Sequence, residues 1–208
     1  MAIDLQRCIG CGTCMIACKV EHFLPPDVHW SRVLIKEQGK FPAVNLLMVP
    51  VLCNHCSDAP CVKVCPAGAT ERRDDGIVTM DYDKCIGCHS CILACPYGAR
   101  NFSGKNHSYF KDDHLTPYEQ MGDDQSVAGV VMKCTFCQEK IDLGLAEGLK
   151  PGVDREATPS CVTSCTGKTR FFGNLDDPES EVSQLIRSRR GKTLRTELGT
   201  NPSVYYLE

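Results

Sequence analysis

An α+β fold built from a duplicated unit is predicted by three features of this 208-residue chain. Sixteen cysteines fall into four groups of four: Cys8, Cys11, Cys14, Cys18; Cys53, Cys56, Cys61, Cys65; Cys85, Cys88, Cys91, Cys95; and Cys134, Cys137, Cys161, Cys165. Cys8-Ile9-Gly10-Cys11 with Ala17-Cys18 recurs as Cys85-Ile86-Gly87-Cys88 with Ala94-Cys95, the mark of a duplication. Between the second and third groups, Ala69 to Arg72 and Ile77 to Met80 flank Asp74-Asp75-Gly76, a strand, turn, strand pattern. A short helix is expected after each cysteine loop.

The first and third groups have the C-x2-C-x2-C-x3-C spacing by which bacterial ferredoxins hold 4Fe-4S cubanes. Three cysteines within seven residues wrap one cube, while the fourth, a helical turn on, serves its neighbour. A proline follows that fourth cysteine at Cys65-Pro66 and Cys95-Pro96, as in the bacterial pattern. The second and third groups therefore make a self-contained pair: Cys53, Cys56, Cys61 with Cys95, and Cys85, Cys88, Cys91 with Cys65. The outer groups then pair across the whole chain, giving Cys8, Cys11, Cys14 with Cys165, and Cys134, Cys137, Cys161 with Cys18. Here 23 residues separate Cys137 from Cys161, and Lys19 and Thr166 stand where proline would be. Sixteen thiolates suit four 4Fe-4S clusters, the metal being iron; the count alone leaves open a three-iron cluster at one site.

Two other uses of cysteine fit worse. A disulfide framework belongs to short secreted domains, and no apolar signal segment precedes Cys8. Structural zinc closes a tetrahedron from paired knuckles and has no use for a third cysteine three residues on. With only 7% aromatic residues the conventional core is thin, so the clusters are expected to be part of it and the metal-free chain to be largely unfolded.

A net charge of −3 with dispersed basic residues excludes an electrostatic case for nucleic acid. The longest apolar run, Val44 to Cys53, is broken by Asn45 and Pro50 and falls short of the roughly 18 residues of a membrane span. With no twin-arginine or secretory leader in view, the expected location is cytoplasmic, or periplasmic by co-export with a leader-bearing partner, and peripheral to the membrane if anchored. No nucleophile and base pair, Walker loop or Rossmann glycine pattern is present, so no catalytic site is expected.

Residues 20–52 form a first insertion whose β-rich runs, Trp30 to Lys36 and Val44 to Val51, are expected to pair around Gly39 beside the cluster units. Residues 103–129 form a polar insertion holding His107, Tyr109, Phe110, His114 and Tyr118, either a partner-contacting arm or a solvated loop. Asp177 as N-cap, Pro178 at the first position, and Arg187, Arg189 and Arg190 before Gly191 predict one capped helix, with Ser203 to Leu207 following as a strand or extended arm. Gly10, Gly12 and Gly87 serve either close backbone approach to cluster sulfurs or ordinary turns. His55 and His89 are not needed as ligands. Arg7, Lys84 and Lys133 each precede the first cysteine of a group, where a cation either raises a cluster potential or is merely a solvated charge.

The four-group order, the stretch from Leu52-Cys53-Asn54-His55-Cys56-Ser57-Asp58-Ala59-Pro60-Cys61 to Cys65-Pro66, and the ending Gly199-Thr200-Asn201-Pro202-Ser203-Val204-Tyr205-Tyr206 resemble one family over nearly the whole chain. They resemble the four-cluster iron-sulfur subunits of the dimethyl sulfoxide reductase superfamily, the molybdenum or tungsten bis-pyranopterin oxidoreductases. Leu175-Asp176-Asp177-Pro178 and Val182 to Ile186 are similar to the small subunits of respiratory arsenate reductases and of polysulfide, thiosulfate and hydroxybenzene-converting relatives.

The resemblance implies two bacterial-ferredoxin-like domains related by pseudo-twofold symmetry. One would comprise residues 1–45 and 130–175, the other 46–102, with 103–129 as an insertion and 176–208 as a C-terminal helix and arm. It implies a molybdenum or tungsten catalytic subunit as partner, with a membrane quinone-reactive subunit, cytochrome or soluble carrier at the other end. The Cys8, Cys11, Cys14 and Cys165 cluster would face the catalytic subunit. Some family members replace a cysteine of the third group and hold a three-iron cluster; Cys85, Cys88 and Cys91 are intact, which favours four cubanes. A subunit of a hydrogenase or cytochrome nitrite reductase system, or a free polyferredoxin, is the alternative.

Overall fold

The computed structural model describes residues 1–104, 109, 115–125 and 127–208; His107, Phe110 and His114 of the polar insertion lie outside them. Strand β1 (Ala2–Asp4) runs into the first cysteine loop, and α1 (Thr13–Glu21) carries Cys14 and Cys18. The hairpin β2 (Arg32–Lys40) and β3 (Ala43–Val51) precedes α2 (Pro60–Lys63), which carries Cys61. A second hairpin, β4 (Thr70–Arg72) and β5 (Val78–Met80), precedes α3 (Ser90–Ala94), which carries Cys91. Strands β6 (Arg100–Ser103) and β7 (Val130–Lys133) pair antiparallel across the polar insertion, which contains α4 (Pro117–Gln125). There follow α5 (Gln138–Ala146), α6 (Ser160–Thr163) with Cys161, β8 (Arg170–Phe171), α7 (Glu181–Ser188) and β9 (Tyr205–Leu207).

Two sequence-distant ends meet in one sheet of order β8-β1-β9, β1 running antiparallel to β8 and parallel to β9. Ala2, Val182 and Leu207 are fully buried there, so the terminal segment is a core strand rather than an arm. The preceding Thr200–Ser203 stretch is laced onto the second cysteine loop. Ser57 N–H donates to Asn201 O (2.9 Å), Asp58 N–H to Thr200 O (3.2 Å) and Ser203 N–H to Asn54 O (2.8 Å). This gives the C-terminal motif a physical role: it covers the Cys53–Cys56 loop.

The β4–β5 hairpin forms where the Asp-Gly turn predicts it. The first hairpin differs. Its strands run to Lys40 and from Ala43, so the turn is Phe41-Pro42, with a cis peptide bond, and Gly39 is a strand residue opposite Val44. Its base packs inward through Val33, Val49 and buried Pro50, whereas Leu34, Ile35, Phe41, Val44 and Leu46 are exposed, so the distal half stands clear of the cysteine units.

Among the described residues, the polar insertion contains α4 and contacts the chain around the end of α1. Tyr118 Oη donates to Val20 O (2.6 Å), Tyr109 Oη to Leu24 O (2.8 Å), and Phe23 stacks on Tyr118 with centroids 4.7 Å apart. These bonds tie it to the C-terminal end of α1. Helix α7 starts at Glu181, three residues later than the Asp177 cap implies, because Ser180 supplies the capping oxygen to Ser183 N–H while Asp177 caps the preceding turn through Glu179 N–H. Gly191 N–H closes the other end on Ile186 O (2.8 Å).

Gly10 and Gly87, at matching places in the repeat, both have positive φ (+69° and +64°). A Cβ at Gly10 would meet Met48 Sδ at 2.5 Å and one at Gly87 the Gly129 carbonyl oxygen at 2.4 Å. At both positions a turn is combined with close approach by another part of the chain.

Candidate metal centres

The sixteen thiols gather in four sets. Cys8, Cys11, Cys14 and Cys165 line a cavity of about 320 Å³ together with Thr169 and Arg170. Cys53, Cys56, Cys61 and Cys95 line one of about 350 Å³ with Val78 and Arg100. Cys65, Cys85, Cys88 and Cys91 line one of about 290 Å³ with Thr70 and Met80. Cys18, Cys134, Cys137 and Cys161 are buried and coupled electrostatically: Cys161 and Cys137 act on Cys18, and Cys18 and Cys161 on Cys134.

Local structure explains the sorting. Cys14 and Cys18 lie four residues apart on α1, about 6 Å along its axis, so one helix feeds two neighbouring sets. The loops reverse into α1, α3 and α5 through left-handed residues, Gly12 (φ 74°), His89 (φ 64°) and Cys137 (φ 54°). At α1 and α3 the reversal wraps the first cysteines of the group around the pocket that the helix-borne third cysteine, Cys14 or Cys91, also lines; in the fourth group the third cysteine, Cys161, comes from α6.

Electrostatic influence links the sets in order. Arg170 acts on both the Cys8 and Cys18 sets: its Nη2 is 3.3 Å from Cys14 Sγ, and its charge favours the Cys161 thiolate. Cys134 of the Cys18 set feels the charge of Cys53, which opens the next. Arg100 acts on both Cys61 and Cys91, which joins the Cys53 set to the Cys65 set. Exposure follows this order. The end sets contain exposed Cys11 and Cys88 with half-buried Cys8, Cys165, Cys65 and Cys85, whereas every thiol of the two middle sets except half-buried Cys95 is buried.

Thiol chemistry differs accordingly. Burial pushes Cys137 up to about 12 and Cys56 up to about 11, and Cys134 well above the ordinary thiol value. Hydrogen bonding to Thr13 (3.3 Å) and Ser90 (3.5 Å) holds the exposed Cys11 and Cys88 thiols below it. Metal binding at the middle sets must therefore displace protons that water cannot easily reach.

These sites fit 4Fe-4S clusters on three counts. The donors are all sulfur. Three of the sets each line a pocket of their own, and among the described residues no three His, Cys, Asp or Glu side chains converge to hold a single ion. Finally, Arg100 Nη2 and Arg170 Nε and Nη1 are buried without a close acceptor in the chain, donors that cluster and thiolate sulfur would satisfy.

The histidines have other work. His55 is buried, stacks on Phe136 (centroids 3.7 Å apart) and accepts from Val78 N–H at Nδ1 (3.0 Å); burial, then the Lys133 charge, hold its pKa well below the ordinary value. His89 packs edge-on against Phe102. His22, not singled out by the sequence, places Nε2 3.2 Å from Cys137 Sγ and leans on Trp30.

The three cations before the cysteine groups diverge. Arg7 is exposed, and exposed Lys84 pairs with Asp81 (2.8 Å). Lys133 is fully buried, its Nζ donating to Val78 O and to Cys134 O (2.8 Å), so it lies where the Cys18 and Cys53 sets approach. Arg100 and Arg170 are site residues that the cysteine pattern does not single out. A signal for them exists all the same: both stand five residues after the fourth cysteine of their group, Cys95 and Cys165.

Two family models, both described as a 4Fe-4S dicluster domain, match residues 7–69 and 44–113. The chain is 39% identical to the arsenate respiratory reductase iron-sulfur subunit ArrB of Shewanella sp., over 100% of this chain and 94% of that protein. It is 41% identical to a selenate reductase subunit of Mesobacillus selenatarsenatis, over 100% of this chain and 70% of that one. With the menaquinone reductase iron-sulfur cluster-binding subunit of Nitratidesulfovibrio vulgaris it shares 37% identity, over 100% and 87% respectively.

Proposed function

Because this chain belongs to the iron-sulfur subunits of dimethyl sulfoxide reductase family enzymes, we propose that it relays single electrons between a molybdenum or tungsten bis-pyranopterin subunit and a quinone-linked subunit, cytochrome or soluble carrier. The chain is an electron-transfer subunit with two ferredoxin-like 4Fe-4S dicluster domains and four 4Fe-4S clusters, and it has no catalytic site of its own. The clusters supply reversible one-electron transfer; the chain holds them, shields the middle pair and fixes the charge around them.

One observation carries the proposal: two of the thiol sets each keep an exposed cysteine, Cys11 and Cys88, whereas the thiols of the other two are buried apart from half-buried Cys95. A carrier that exchanged electrons with one diffusing partner would need one accessible site, whereas a relay needs two. The proposed ligand sets are Cys8, Cys11, Cys14, Cys165; Cys18, Cys134, Cys137, Cys161; Cys53, Cys56, Cys61, Cys95; and Cys65, Cys85, Cys88, Cys91. Their cavities and mutual electrostatic contacts support them.

A pseudo-twofold relation between the two units is supported by one matched pair, Cys11–Thr13 with Cys88–Ser90. The pairing of β1 with β8 supports assigning 1–45 and 130–175 to one unit and 46–102 to the other. The end set at Cys8 is proposed to face the catalytic subunit and the end set at Cys88 the second partner. The menaquinone reductase relative supports a quinone-linked partner. Among the described residues no helix is long and apolar enough to cross a membrane, so an anchor would belong to the partner. Location is then set by that complex: cytoplasmic, or periplasmic by co-export.

Anaerobic affinity purification followed by mass spectrometry of the intact complex tests the partner. A co-purifying pterin-bearing chain is expected; a haem or nickel protein, or a lone monomer, would refute it. Cys165→Ala is expected to abolish electron exchange with the catalytic subunit, and Cys65→Ala or Cys95→Ala to injure the far unit. The reverse pattern would invert the polarity.

A further inference from the structure

Arg100 and Arg170 share a geometry that electron transfer alone does not require. Both are buried, with 5% and 3% of their surface exposed. Arg170 Nη2 bonds to Cys14 Sγ (3.3 Å), and the Arg170 charge favours the thiolate of Cys161; these are the third cysteines of the first and fourth groups. Arg100 lines the pocket that holds Cys61, and its charge favours the thiolates of Cys61 and Cys91, the third cysteines of the second and third groups. Second anchors fix both side chains: Arg170 Nη2 donates to Ser31 Oγ (2.9 Å), and Arg100 Nη1 donates to Thr70 Oγ1 (3.1 Å) and Met80 Sδ (3.2 Å). Arg100 thus borders the Cys53 cavity directly and holds Thr70 and Met80 in the wall of the Cys65 cavity.

We infer that Arg100 and Arg170 are positioning residues for electron transfer, each a fixed cation shared by the end site and the middle site of one unit, raising both midpoint potentials together. This rests on the relay reading above. A guanidinium stays charged at any working pH, and in a low-dielectric interior its attraction for added negative charge is strong and little screened by salt. Acting on two sites, it favours an electron on either. It therefore lifts both potentials without opposing transfer in one direction. Lysine would keep the charge but lose the planar fork of donors.

The test is an EPR-monitored redox titration of the anaerobically purified full-length chain, in wild type, Arg100→Met, Arg100→Lys, Arg170→Met and Arg170→Lys. Iron and acid-labile sulfide are assayed first: a wild-type chain far below about sixteen irons, four for each cubane, sinks the relay reading itself, whatever the arginines do. With the irons in place, Arg100→Met is expected to lower the potentials of two clusters and Arg170→Met those of the other two. The lysine variants should fall between methionine and wild type. Unchanged potentials, or an equal shift of all four clusters from either variant, would overturn the inference. For a variant that does not keep its iron, wild-type chain carrying 15N-guanidino arginine decides. Hyperfine coupling of 15N to the reduced clusters is expected from N–H···S contacts, and its absence overturns the inference.

Discussion

The end sites and the middle sites use the same four-thiol chemistry but differ in burial: each end site sends one thiol, Cys14 or Cys91, into the core, whereas the middle sites bury every thiol but Cys95. At the ends, short loops around Cys11 and Cys88 leave a thiol in contact with water, and the hydroxyls of Thr13 and Ser90 favour its ionised form. In the middle, thiols replace hydrophobic side chains: Cys18, Cys53, Cys134 and Cys161 sit in one apolar cluster with Ile3, Leu24, Trp30 and Phe136. The end sites can thus exchange electrons with partners, and the middle sites are what the polypeptide folds around. Function and stability are divided between the two kinds of site.

The largest effect that follows is on folding. Removing iron leaves buried thiols around voids, each void lacking the contacts that filled it. Anaerobic chelation is therefore expected to abolish most of the far-UV circular dichroism of the native chain. Retention of native secondary structure would break the comparison, because the middle sites would then not be the core.

Single ligand changes sharpen it. Cys134→Ala and Cys161→Ala, in the middle, should lose more than one cluster's iron and most soluble protein. Cys11→Ala and Cys88→Ala, at the surface, should lose at most one cluster and leave the fold. Iron content of the purified variants measures this, and equal losses at both positions would count against a division between ends and middle.

How much of this is legible in the sequence depends on whether a feature is local. The cysteine loops, their following helices and the β4–β5 hairpin are set by spacing and turn residues within a few positions, and they stand where expected. The β8-β1-β9 sheet escapes a sequence reading because strands of two or three residues give no periodic pattern, and its pairings join residues nearly the whole chain apart. Lys133 and Lys84 look alike in sequence, each one residue before a cysteine; only packing separates the buried one from the solvated one. Arg100 and Arg170 are within reach of the internal repeat, but only where it is followed beyond its cysteines. Thr70, the bonding partner of Arg100, occupies the matching place after Cys65.

A smaller effect distinguishes the two end sites from each other. Gly87→Ala would drive a Cβ into the Gly129 carbonyl, part of the backbone beside β7, while Gly10→Ala meets the tip of Met48, a flexible side chain. Both substitutions carry the left-handed backbone cost. We expect Gly87→Ala to destabilise by about 2–5 kcal/mol and Gly10→Ala by about 1–3 kcal/mol, from strain at positive φ plus overpacking. Denaturant midpoints under anaerobic conditions measure the difference, and a larger loss at Gly10 would show that Met48 is rigidly held.

The smallest effect probes the sheet that leads into the Cys8 site. Asp4 is buried and pairs with Arg189. Burial alone would raise its pKa, but the hydrogen bond and charge of Arg189, with the backbone N–H groups of Gln6 and Arg7, outweigh it and set the folded value below the ordinary carboxylate one. A depressed carboxylate pKa adds stability that is complete above the unfolded pKa and disappears as pH falls through the folded value. The deficit of Asp4→Asn relative to wild type should accordingly be full at pH 7, about 1–2 kcal/mol for a pair between exposed and buried, and should shrink in acid below the ordinary carboxylate pKa. Because β1 reaches Cys8 within four residues, the variant should release iron from the Cys8 end faster than from the Cys88 end at pH 7. Chelator-trapped iron release followed by EPR would show this. A deficit that grows in acid would reverse the sign assigned to Asp4, and equal release from both ends would separate the terminal sheet from the site it leads into.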